Sequence, residues 1–173
     1  MSANPGICVS KLAFVALGSN LGDSREMVRQ AMDKLQAFSD GGFLKSSPWQ
    51  TAPVDCPPGS PTFVNAVAGF LPRAGETPES LLVKLQAMEK EFGRKPKKVL
   101  NEARSLDLDI ITFADAIRNT QSLILPHPRA HQRRFVLQPL SEIAPDLVLP
   151  GQTRTTAQFL AELPPDESMK KLD

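Results

Sequence analysis

The chain has 173 residues, 41% of them hydrophobic, with 20 basic and 19 acidic side chains and a formal net charge of +1. That length can bury one sizeable core, and the near-neutral balance excludes a general polyanion binder, which carries a strong basic excess. The apolar runs are too short to cross a bilayer, Cys8 and Cys56 lie outside any metal-binding spacing, and the N-terminus does not read as a secretory leader; a reduced, cytoplasmic monomer with no nucleic-acid or membrane partner is expected.

Residues 1–10 are expected to form a flexible N-terminus. "KLAFVAL" (Lys11–Leu17) reads as a buried strand, followed by the turn "GSNLGD". Asp23, with Glu26 three residues later, marks a helix start, and Val28, Met32 and Leu35 recur at helical spacing. Gly41-Gly42 is read as the stop of that helix, and "FLKSSPW" as the second strand. A proline-rich loop leads to a third strand, "FVNAVAGFL" (Phe63–Leu71). The next helix has Thr77 at its cap, Pro78 at its first position, a stripe of Leu81, Leu85, Met88 and Phe92, and Gly93 as its end. A basic loop then enters the strand "LDLDIIT".

This β-α-β-β-α-β order predicts an α+β, ferredoxin-like core with an antiparallel sheet. A C-terminal extension follows, with a short strand at Leu123–Leu125, helices near Pro139–Ile143 and Thr156–Leu163, and a flexible tail over 165–173. The expectation is one domain over 1–173. The order alone assigns no function, because this superfold hosts many.

The chemistry starts in "RSLDLDIITF" (Arg104–Phe113). Strand alternation turns Leu106, Leu108 and Ile110 one way and Asp107 and Asp109 the other. Two carboxylates side by side face either solvent or a cation, and a hard divalent ion carrying phosphate would relieve their repulsion. Arg94, Lys95, Lys97, Lys98 and Arg104 lie just upstream, so carboxylates for magnesium stand beside cations for phosphate. "LPHPRAHQRRF" adds His127, Arg129, His131, Arg133 and Arg134. His127 and His131 have zinc-pair spacing, but Pro126 and Pro128 disfavour a helix and no third ligand is near, so phosphate contact is the better reading. Phe63 and Asn65 share one strand face, a ring beside an amide that suits a flat heterocycle. Gln86 and Glu89 border the apolar stripe of the second helix; from the residues alone they face water.

These blocks together resemble a known family. "ALGSNLGD", "SSPWQTAPV", "FVNAVAGF", "RSLDLDIITF" and "LPHPRAHQRRFVLQPLSEIAPDLVLP" occur in the order found in 6-hydroxymethyl-7,8-dihydropterin pyrophosphokinases, enzymes of folate biosynthesis. The resemblance implies pyrophosphate transfer from ATP to the pterin hydroxymethyl group, releasing AMP. It implies two Mg²⁺ ions on Asp107 and Asp109, with Arg94 and Arg104 as catalytic cations. Thr51, Pro53, Val54, Phe63, Asn65 and Phe135 match the pterin pocket, and Gln86, Glu89, Ile110, His127 and Arg133 the nucleotide side. Many members carry R-W-G-P-R before the aspartate strand, where this chain reads "LNEAR" (Leu100–Arg104); other cations, such as Lys97 or Lys98, are then expected in the lid. The chain is expected to be monofunctional. The alternative is a ferredoxin-like small-ligand or RNA-binding module without catalysis. It leaves the aspartate pair without a role, and "FVNAVAGFL" lacks the aromatic pattern of an RNA-binding strand.

Overall fold

A computed structural model describes residues 6–96 and 98–173 of the chain. The strands are β1 (Ala13–Ser19), β2 (Ser39–Lys45), β3 (Trp49–Thr51), β4 (Phe63–Pro72), β5 (Asp107–Phe113), β6 (Arg118–Asn119), β7 (Ile124–Leu125) and β8 (Lys170–Lys171). The helices are α1 (Ser24–Leu35), α2 (Pro78–Glu91), α3 (Arg134–Ile143) and α4 (Thr156–Glu162). The main sheet runs β5-β1-β4-β3-β8, with β2 also on β4, and its pairings are antiparallel. This is the expected βαββαβ arrangement, with its second strand split in two. Ser46, Ser47 and Pro48 make the split, and the Ser46 hydroxyl repairs the ladder by accepting from Val67 N at 2.9 Å.

The alternation of each strand sorts its residues between two layers. Val15 and Leu17, Ala66 and Ala68, Leu108 and Ile110 face α1 and α2. There they meet Val28, Met32 and Leu35 of α1 and Leu81, Leu85 and Met88 of α2, the stripes visible in the sequence. The opposite face is covered at one end only. Phe14, Val67 and Ile111 pack there beneath Val136 and Leu140 of α3. Beyond them the sheet face is open, and the functional site lies on that open half.

Several boundaries differ from the sequence expectations. β1 starts at Ala13 because Val9–Lys11 form a 3-10 turn, and it runs on to Ser19 because Gly18 pairs with both Asn65 and Asp107. Gly41-Gly42 does not stop α1, which ends at Leu35 and runs into a 3-10 turn at Gln36–Phe38. The glycines lie inside β2, where the register jumps between Ser39 and Phe43 and Gly41 takes φ +108°. α3 begins at Arg134 and carries Pro139 inside it, so the Phe135 carbonyl lacks its usual helical donor. Residues 1–5 and Lys97 lie outside the described residues, whereas Ile7 and Val9 pack against the second core. Within the tail, Lys170–Lys171 pair with β3, and Leu172 packs on the first core.

Candidate active site

β5, β1, β4 and β3 build the floor of the site by register. Asp109 lies opposite Ala16, Asp107 opposite Gly18, Gly18 opposite Asn65, and Phe63 opposite Thr51. These residues project from the same face of the sheet. Because Ala16 and Gly18 are small, the floor between the aspartates and the aromatic strand is hollow. A cavity of about 670 Å³ fills the space, walled by Val54 and Asp55 from the β3–β4 loop, by Arg104, and by His127, Arg133 and Phe135. His127 is anchored there by its backbone N–H, which donates to the Ile111 carbonyl at 2.8 Å.

One end of the cavity is built for a flat polar ring. The Asn65 amide donates through Nδ2 to Thr51 Oγ1 at 2.7 Å, and both residues are buried. A Cβ on Gly18 would stand 2.9 Å from Asn65 Oδ1, so this glycine makes room for the amide. Phe63 and Phe135 line the same end. The guanidinium of Arg104 lies 5.7 Å from the Phe63 ring centre, and that of Arg133 lies 5.4 Å from the Phe135 ring centre.

The other end concentrates charge. Arg94 Nη1 donates to Asp107 Oδ1 at 2.5 Å and to Glu89 Oε2 at 2.7 Å, and Arg104 Nη1 reaches Asp107 Oδ2 at 3.5 Å. Glu89 Oε2 also accepts from Leu108 N at 3.1 Å, which ties α2 to the aspartate strand. Asp109 opens onto the cavity but is crowded by protein on its other sides. Lost solvation, then the charges of Asp107 and Glu89, push its carboxyl up to about 7, against the pull of Arg133 and Arg94. His127 is pushed down to about 4 by burial and by Arg133 and Arg129, so it is neutral at pH 7. Its Nδ1 accepts from Arg129 N at 3.1 Å, leaving Nε2–H as a donor.

No group of three or more His, Cys, Asp or Glu side chains that could hold a metal ion occurs among the described residues. Two carboxylates on one strand face nevertheless suit magnesium, which uses one or two carboxylates together with waters and phosphate oxygens. His131 does not join His127; its ring stands 5.4 Å from that of Phe159 on α4.

The expected site residues divide accordingly. Thr51, Val54, Phe63, Asn65, Arg104, Asp107, Asp109, His127, Arg133 and Phe135 all line the one cavity. Arg94 lines a neighbouring hollow of about 270 Å³, shared with Arg104, and reaches the site through Asp107. Pro53 is half-buried outside the lining, and Gln86 is exposed on α2. Glu89 is bonded to Arg94 and to the Leu108 backbone N–H. The Ile110 side chain is buried in the first core, because alternation sends it away from the aspartates; only its backbone remains available to a ligand.

Sequence reasoning missed Gly18 and Ala16, whose role is to be small; Arg129, named there only within the basic segment after β7, also lines the cavity. It also missed a bridge between the two long loops: Asn101 Nδ2 donates to the Asp55 carbonyl at 2.7 Å. Both residues are left-handed, with φ of 55° and 53°, a conformation Asn and Asp tolerate better than most residues.

The sequence matches the family described as 7,8-dihydro-6-hydroxymethylpterin-pyrophosphokinase (HPPK) over residues 14–145. The chain belongs to this family. It is 37% identical over 151 residues to the 2-amino-4-hydroxy-6-hydroxymethyldihydropteridine pyrophosphokinase of Pseudomonas aeruginosa, covering 87% of this chain and 91% of that one. It is 35% identical to the folic acid synthesis protein fol1 of Pneumocystis carinii over 89% of this chain, yet it spans only 20% of that much longer relative. The wild-type Plasmodium falciparum HPPK-DHPS, solved with pteroate, superposes with a TM-score of 0.72 at 11% identity, covering 92% of this chain and 47% of that one. That likeness is one of fold. The HPPK match includes both aspartates, the Phe63–Asn65 strand and Phe135, so the cavity falls within the shared region.

Proposed function

We propose that the chain transfers pyrophosphate from ATP to the hydroxymethyl group of 6-hydroxymethyl-7,8-dihydropterin and releases AMP. The observation that carries this reading is the single cavity that joins a ring-and-amide end to a carboxylate-and-cation end. Phe63 and Phe135 would hold the pterin ring, and Asn65, oriented by Thr51, would bond its edge. Arg133, Arg104 and neutral His127 would contact phosphate oxygens, with Arg94 joining them once it leaves Asp107.

In the reaction the pterin alcohol oxygen attacks the β-phosphorus of ATP. The bond from that phosphorus to the oxygen bridging the α-phosphate breaks, AMP departs with that oxygen, and the hydroxyl proton is lost to solvent. Two Mg²⁺ ions, held by Asp107 and Asp109, would supply charge neutralisation on the phosphates. The side chains then contribute alignment and cationic stabilisation, and the loops at 50–61 and 93–103 exclude water.

The same reading has the chain work as one pyrophosphokinase domain, a monomer in the cytoplasm, with ATP and the pterin as its partners rather than nucleic acid or membrane. The near-neutral net charge of +1 supports small-molecule partners over a polyanion; among the described residues no helix is long and apolar enough to cross a membrane. The test is AMP release from ATP with and without the pterin and Mg²⁺. AMP should require both and fall on the order of 100- to 1,000-fold or more in Asp107→Ala. Pterin binding without AMP from the folded wild-type chain would leave a binding module and sink the catalytic reading.

A further inference from the structure

Glu142 lies outside the cavity, yet its carboxylate is fully committed. Oε1 accepts from the Ser47 backbone N–H and from Ser47 Oγ, each at 2.7 Å, and Oε2 accepts from Trp49 Nε1 at 3.2 Å. These bonds join α3 to the break between β2 and β3. Charge-assisted bonds of this kind are the strong ones, and this half-buried carboxyl is held below its usual range against the cost of burial.

Both partners of this link carry the ring end of the cavity. On α3, Glu142 is seven residues beyond Phe135, about two turns, which places both on the same side of the helix. On the sheet, Trp49 pairs with Asn65 and Thr51 pairs with Phe63. β3 is only three residues long and its outer neighbour β8 only two, so pairing alone fixes it less firmly than the longer strands. Thr51, in turn, orients the Asn65 amide.

We infer that Glu142 is a positioning residue for the flat-ring slot: by holding Ser47 and Trp49 it sets α3, and with it Phe135, at a fixed separation from Phe63, Asn65 and Thr51. It acts more on the ring end than on the charged end, because Asp107 and Asp109 reach the cavity from β5, to which Glu142 makes no hydrogen bond, and of the phosphate-side groups only Arg133, the N-cap of α3, adjoins its helix. A residue that merely stabilised the fold would loosen both ends together. The inference rests on the reading of this end as the pterin slot.

The experiment is calorimetric titration of wild type, Glu142→Ala and Glu142→Gln with 6-hydroxymethyl-7,8-dihydropterin and, separately, with a non-hydrolysable ATP analogue. The Trp49 indole N–H is followed by NMR in the ligand-free proteins. Glu142→Ala should weaken pterin binding on the order of 10- to 100-fold, leave the ATP analogue within about twofold, and speed exchange of the indole proton. Glu142→Gln keeps one acceptor of the same reach and should recover part of the pterin affinity; it also carries the test if the alanine variant fails to fold. Unchanged pterin affinity, or parallel weakening of both ligands, would overturn the inference while leaving the functional reading intact. A wild-type chain that binds no pterin would remove that reading, and the inference with it.

Discussion

The two ends of the cavity are prepared to different degrees. At the ring end the polar group is already oriented: Asn65 is bonded to Thr51, with Gly18 leaving space beside it. At the charged end the groups that a nucleotide and its metal would use are bonded to one another, Arg94 and Arg104 to Asp107, and Arg94 again to Glu89. A flat ring can enter by displacing water and the guanidinium groups stacked near Phe63 and Phe135. Metal and phosphate meet Asp109, Arg133 and His127 directly but gain Asp107 only by exchanging its arginine partners. A carboxylate without a counter-cation in such a place is costly, and the arginines remove that cost at Asp107, not at Asp109, until ligands arrive.

The largest effect expected within this comparison is at the ring end. Gly18→Ala would put a methyl 2.9 Å from Asn65 Oδ1, and Asn65 cannot step aside without leaving Thr51. Pterin affinity should fall on the order of 10- to 100-fold, with ATP-analogue binding little changed. Equal losses for both ligands in calorimetry would show that the two ends are not independent. A smaller, opposite effect is expected at the charged end. Arg94→Ala removes the cation that occupies Asp107, so the ligand-free chain should bind Mn²⁺ several-fold more tightly while AMP release slows. Weaker Mn²⁺ binding, read by electron paramagnetic resonance, would mean that the arginine organises Asp107 instead of competing for it.

The difference between the ends also governs what could be read from the sequence. Periodicity of two exposed the aspartate pair and set Phe63 beside Asn65, because a strand fixes side-chain direction residue by residue. The helical stripes and the Thr77 cap were legible for the same local reason. Ile110 matches a nucleotide-side position by family resemblance, and alternation, which sends its side chain into the core, leaves only its backbone for such a contact. Gly41-Gly42 misled because a glycine pair serves a helix end and a strand irregularity equally well. Gly18, Glu142 and the Asn101–Asp55 bridge left no local signature: each acts on a partner at least 46 residues away in the chain, and only the folded register brings them together.

Asp109 gives the smallest and most discriminating prediction, because it asks whether the charged end strains the ligand-free fold. Its carboxyl is raised to about 7 from an ordinary value near 4. The folded chain therefore holds a proton there that the unfolded chain has already lost. Between those two values stability falls as pH rises, and above about 7 the full penalty is present. Because the Asp109 side chain is exposed to the cavity, solvent screens much of that penalty, and Asp109→Asn should raise the melting temperature of the metal-free chain at pH 8 by only about a degree or two. The gain should shrink as pH falls from 7 toward 4 and vanish below that. Mg²⁺ with an ATP analogue should stabilise the wild type and not the variant, because the charge that burdens the empty fold is the one the ligands use. A gain independent of pH would place the effect in packing, and a loss at pH 8 would mean that Arg133 and Arg94 already compensate the Asp109 charge.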